Sequence, residues 1–147
     1  MNDWSFNEKS LVATILAQVL TATFYFEEVR AMLASGNRDV GDIAVVAIIA
    51  VILLIVIEAG YHAVMAARGD VETDDERDQG VRLRGSALQR RLLEIGVITV
   101  IGHIAFGSLF APERVDLFLI GNLLLAVLVA AELAARGFEL WLYRRGF

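Results

Sequence analysis

No cysteine occurs anywhere in the 147 residues. Disulfides, thiolate metal sites, covalently attached c-type haem and thiol redox chemistry in the membrane are thereby excluded. Lysine is nearly missing as well: the single copy, Lys9, follows Asp3 and Glu8. The start of the chain therefore lacks the positive region of a secretory signal, and the first apolar segment is expected to be retained. Only two histidines are present, His62 and His103. At the helical rise they differ in depth by roughly 10 Å or more, too far to ligate one haem iron together. There is no nucleophile elbow, phosphate loop or His-Glu-x-x-His sequence, so no catalytic residue is assigned and an enzyme is not expected.

What the sequence has in abundance is apolar surface. Hydrophobic residues make up 57% of the chain, above the roughly 45–50% usual in soluble domains. Four apolar segments, near 10–33, 42–67, 92–110 and 115–135, have the roughly 17–25 residues that a helix needs to cross a hydrocarbon core. Together they use most of the chain, so one domain of four transmembrane helices over 1–147 is expected, with a loop at 68–91. The outer connections, "SGNRDVG" and "APERV", are short and favour antiparallel neighbours. The predicted fold is an all-α integral membrane four-helix bundle, up-down-up-down.

Basic residues set the orientation, because basic loops stay cytoplasmic. Lys9, Arg68, Arg77, Arg82, Arg84, Arg90, Arg91, Arg136, Arg144 and Arg145 fall on one side, and only Arg30, Arg38 and Arg114 on the other. Both termini and the loop 68–91 are therefore expected in the cytoplasm. Trp4, Trp141 and Tyr143 fit an interfacial aromatic belt on the same side.

Polar residues inside the spans form stripes. In the first helix Thr14, Gln18, Thr21, Tyr25 and Glu28 share one face; the third carries Gly96, Thr99, His103 and Gly107; the fourth carries Asn122, Ala126, Ala130 and Ala134. Such stripes are the ordinary packing surfaces of membrane helices. Ionisable groups are costlier, roughly 2.5–3.5 kcal/mol each at the helix centre, and mark sites. In "IEAGYHAVMA", Glu58 and His62 stand one turn apart on the cytoplasmic half of an otherwise apolar helix. Glu94 and Glu132 approach the same level, although Arg90 and Arg136 at helical spacing offer each a plain ion pair. The expected intramembrane pocket comprises Glu58, His62, Gln18, Glu94, His103, Asn122 and Glu132. Glu58 and His62 are also the candidates for a metal, completed by Glu94 or Glu132. The paired Glu-x-x-His motifs of two-metal bundles are missing.

The loop "RGDVETDDERDQGVRLRGSALQRR" is divided into an acidic and a basic part. Thr73 and Glu76 have the spacing of a capping box, which predicts a helix from about Thr73, loosened at Gly80 and Gly85, running into the third span. A calcium loop is excluded, because Asp75 stands where glycine is required and Val81 where the closing glutamate belongs. Arg82, Arg84, Arg90 and Arg91 suit anionic headgroups, whereas the acidic part suits a docking surface.

Asp75, Glu76, Arg77 and Asp78, set between two apolar helices, resemble the Asp-Glu-Arg-Asp signature of small four-helix bacterial membrane proteins of unknown function. That resemblance covers the loop and its flanking helices. It implies a bacterial inner membrane and a cytosolic partner of the helix-turn-helix regulator kind. Direct nucleic-acid binding by this chain is not expected.

The leading expectation is a non-enzymatic, multi-pass inner-membrane binding or regulatory protein, with a polar intramembrane pocket and a charged loop that docks a partner or anionic lipid. Two alternatives stand beside it: an oligomeric proton or cation channel or transporter, and a metal- or cofactor-binding membrane protein. Membrane lipids are the expected surroundings, a homo-oligomer an expected state, and no cofactor is assigned.

Overall fold

A computed structural model describes residues 5–67, 76–110 and 116–146. Four helices account for nearly all of them: α1 (Phe6–Ser35), α2 (Val40–Ala67), α3 (Glu76–Phe110) and α4 (Leu117–Arg144). Each is long and apolar enough to cross a membrane, and the architecture is an all-α four-helix bundle. The helices alternate in direction, so the starts of α1 and α3 and the ends of α2 and α4 gather at one end, called basal here. The α1–α2 turn, the end of α3 and the start of α4 lie at the opposite, distal end.

Local sequence explains the helix ends. Ser5 caps α1 with a reciprocal box: its hydroxyl accepts from the Glu8 amide at 3.2 Å, and the Glu8 carboxylate accepts from the Ser5 amide at 3.0 Å. Helix α1 stops at Gly36, whose φ of 75° is left-handed and suits glycine. Asp39 then accepts from the Asp42 amide at 3.0 Å and starts α2. Asp116 caps α4 by accepting from the Phe118 amide at 2.9 Å, and it also pairs with Arg38. The distal end is thereby tied between the α1–α2 turn and the start of α4.

Packing runs in the order α2, α1, α4, α3. The central pair, α1 and α4, is antiparallel, and α2 and α3 flank it. Only Met65 is buried on α2, in keeping with a helix that is apolar all round and turns most of its surface outward. The distal core is formed by Tyr25, Val29, Met32 and Phe118, with Ile43, Val46, Ala47 and Ala50 of α2 laid against it. Across it the Tyr25 hydroxyl donates to the Asn122 Oδ1 at 2.8 Å, while the Asn122 amide donates to the Phe118 carbonyl at 2.7 Å.

The α3–α4 seam relies on small residues. An added Cβ at Gly96 would collide with Val127, and one at Gly85 with the side chain of Glu139. Ala131 and Ala135 are buried on α4, and Val81 and Val100 on α3. Backbones that come this close need a residue without a side chain at the crossing.

Several expectations shift in register. Glu28 is exposed, and Val29 takes the core position of its stripe. Thr99 and His103 are exposed, and Val100 faces α4 instead. Ala131 and Ala135, rather than Ala130 and Ala134, make the buried alanine series. In each case the true face is one residue on, because hydropathy fixes a span's depth but not its rotation. Gly80 and Gly85 leave α3 continuous rather than loosened, and α4 runs a further two turns past residue 135. Trp4, Arg68, Asp75, Arg114 and the cap expected at Thr73 lie outside the described residues.

Candidate functional site

At the basal end all four helices turn polar side chains toward one cavity of about 310 Å³. Helix α1 supplies Asn7, Ser10 and Thr14, spaced three and four, the same face that carries Gln18, Thr21 and Tyr25 further up. Helix α2 supplies Glu58 and His62, and α3 supplies Arg82. Helix α4 supplies Glu132, Arg136, Glu139 and Tyr143, spaced four, three and four, which is again one face.

Arg136 organises the charges. Its guanidinium lies 3.4 Å from Glu139 and 3.9 Å from Glu132. Glu139 is the more enclosed of the two, with its side chain only 5% exposed, and it rests against Gly85. A carboxylate so enclosed needs a cation and hydrogen bonds to stay charged; Arg136 supplies both. Glu58, by contrast, has no ion-pair partner among the described residues. His62 is exposed at the cavity mouth, edge-on to Tyr61 with ring centroids 5.5 Å apart.

Tyr143 joins the cavity to the start of α3. Its hydroxyl donates to the Asp78 carboxylate at 2.8 Å, and Arg77 donates to the Tyr143 carbonyl at 3.3 Å while its guanidinium lies 5.7 Å from the ring centroid. Asp78 is buried, at 8% exposure. Two members of the acidic motif thus face the end of α4. Nearby, the Arg144 guanidinium donates to Glu8 at 2.9 Å, which binds the start of α1 to the same corner.

A second cavity, of about 200 Å³ and almost wholly apolar, lies between α1, α2 and α4 on the distal side of the first. Leu54, Leu125 and Leu128 line it with Gln18, Thr21 and Tyr25, and Glu132 borders both cavities. Gln18 is 7% exposed, and its side-chain oxygen has no hydrogen-bond partner among the described residues.

Of the seven residues expected in one pocket, Glu58, His62 and Glu132 line the polar cavity, and Gln18 and Glu132 line the apolar one. Asn122 is committed to Tyr25 in the distal core. Glu94 is exposed in a shallow groove along α3 with Ser86, Arg90 and Leu93, and His103 is exposed on α3. Neither reaches the cavity, since the face of α3 that meets α4 is set by Gly85, Gly96 and Val100. Among the described residues no three histidine, aspartate or glutamate side chains come together to hold a metal, so Glu58 and His62 are not completed by Glu94 or Glu132 into a three-ligand site. Of the docking candidates, Glu76, Arg77, Arg84, Arg90 and Arg91 are exposed, and Arg82 lines the cavity.

Arg136 pairs with Glu132 as its spacing predicts; the cavity residues that sequence reasoning missed are Asn7, Ser10 and Glu139, together with the part Tyr143 plays there. Their signal was the helical spacing itself, which continues past the apolar spans at both ends. No protein-family model, curated protein or solved structure matches the chain.

Proposed function

We propose that the protein is a non-enzymatic binding and regulatory protein of the bacterial inner membrane, with its basal end in the cytoplasm. The polar cavity would take up a small ligand, and the start of α3 would present the result to a cytosolic partner or to anionic headgroups. The observation that carries this reading is the double role of Tyr143, which lines the cavity and donates to Asp78 within the acidic motif. A change in cavity occupancy that moves Tyr143 would release or tighten Asp78, and with it the exposed Glu76 and Arg77 beside it. The arginine distribution supports the orientation, and the resemblance carried by residues 75–78 supports a regulator as the partner.

The test is a pull-down of cytosolic proteins on the detergent-solubilised chain, repeated with Glu76→Gln and Tyr143→Phe. A specific partner lost with the first variant and weakened by the second supports the relay. Recovery of nothing, or of the same proteins by all three, removes it. A proton or cation conductor is the weaker reading. Within one chain the distal half is filled by Tyr25, Val29, Met32 and Phe118, so any path would have to run between copies.

A further inference from the structure

The two cavities share Glu132, and the level at which one lining gives way to the other is called the neck here. On α1 the change from polar to apolar lining falls between Thr14 and Gln18, on α2 between Glu58 and Leu54, and on α4 at Glu132 itself. Each step is one helical turn, so the neck is a ring at one depth.

Its chemistry is specific. Two carboxylates stand there: Glu58 without an ion-pair partner among the described residues, and Glu132 held only loosely by Arg136 at 3.9 Å, since that arginine is engaged more closely by Glu139 at 3.4 Å. The polar cavity as a whole sets Glu58, Glu132 and Glu139 against Arg82 and Arg136, one carboxylate in excess. The neck is therefore net negative. In the apolar cavity that Glu132 borders, Gln18, more than nine-tenths buried, keeps an acceptor oxygen with no donor among the described residues. A buried polar group left unpaired costs stability unless something satisfies it. The missing group is one that carries positive charge and N–H donors together.

The apolar chamber sets the rest of the ligand. An apolar cavity of about 150 Å³ is known to hold a benzene ring, so one of about 200 Å³ accommodates a single ring or a comparable alkyl body.

We infer that the two chambers form one site for an organic ammonium ion, with its apolar body in the chamber between α1, α2 and α4 and its N–H groups at the neck on Gln18, Glu58 and Glu132. This rests on the proposed role of the cavity as a ligand site and names the class of ligand. A carboxylate ligand would meet the repulsion of Glu58 and Glu132. A neutral ligand would leave the neck uncompensated.

Benzylammonium is the probe, with benzyl alcohol and benzoate as matched neutral and anionic controls. Binding is measured by isothermal titration to the full chain in phosphatidylcholine nanodiscs, with empty nanodiscs subtracted. Saturable binding of benzylammonium at least ten-fold tighter than either control is expected. It should weaken by ten-fold or more in Glu58→Gln and by about five-fold in Gln18→Leu, and stay unchanged in Glu27→Gln, which removes an exposed carboxylate at the distal end. Benzyl alcohol binding as tightly as benzylammonium, or equal benzylammonium binding by the wild type, Glu58→Gln and Gln18→Leu, overturns the inference. The comparison of the three ligands on the wild-type chain stands even where a variant fails to fold. Ammonium binding and partner recovery are separate readouts, so a missing partner leaves this site intact and a missing ligand leaves the partner question intact.

Discussion

The distal and basal halves of this bundle are built from the same helices and treat polar groups in opposite ways. In the distal half Tyr25 and Asn122 are sealed among Val29, Met32 and Phe118, and they satisfy each other and the backbone. In the basal half polar and charged side chains from all four helices surround a hollow, and one carboxylate and one carboxamide oxygen lack partners among the described residues. A membrane bundle gains little from burying apolar groups against one another, because lipid is as apolar as the core. Steric fit and paired polar groups hold the distal half. The basal half departs from that pattern around the cavity, which is what a binding site requires.

That contrast can be broken experimentally. The largest effect is expected from Arg136→Met, which strands the enclosed Glu139 carboxylate. Removing one partner of a buried pair costs about 3–5 kcal/mol; because Arg136 is about a third exposed, the low end, about 3 kcal/mol, is expected in detergent unfolding. Restoration of stability by the double variant Arg136→Met, Glu139→Leu would identify the unpaired charge as the cause. Gly96→Leu comes next. It drives a side chain into Val127, and overpacking of this kind costs about 1–3 kcal/mol, read as a lower unfolding midpoint with α3 exchanging its amides faster.

Smaller losses belong to the distal half. Tyr25→Phe removes the hydroxyl that donates to Asn122, and interhelical hydrogen bonds in membranes contribute about 0.6 kcal/mol on average and about 1.7 at most. A loss well above that range would mean that the distal core depends on polar pairing more than on fit. The smallest effect is expected from Glu58→Gln. With no ion-pair partner among the described residues to lose, its stability should stay within about 0.5 kcal/mol of the wild type, even as ammonium binding falls. If Glu58→Gln unfolds the chain, the carboxylate is a structural support and the division between the two halves is wrong.

How far the sequence reveals this arrangement depends on the kind of feature. Depth is legible: the apolar runs locate four spans, and the Glu58–His62 pair stands at the cavity, because the rise per residue converts position directly into height. Rotation is not. For a soluble helix the contrast between wet and dry faces fixes it, but lipid and core are equally apolar, so Thr99, His103, Ala130 and Ala134 are placed on the wrong side by a single residue. Length past the membrane is the third gap. Residue 135 is a natural end for an apolar span, yet α4 continues to Arg144: Leu142 is buried, Tyr143 donates to Asp78 of α3 and Arg144 pairs with Glu8 of α1, and Glu139 and Tyr143 come with them.

Since α2 lies chiefly along α1, and α3 along α4, the molecule consists of two hairpins joined at one central seam. Cleavage of the chain between residues 67 and 76 would leave each hairpin whole, and the fragments should find each other again in the bilayer along α1 and α4. Separately expressed halves would then allow either wall of the ammonium site to be labelled, or exchanged, without touching the other.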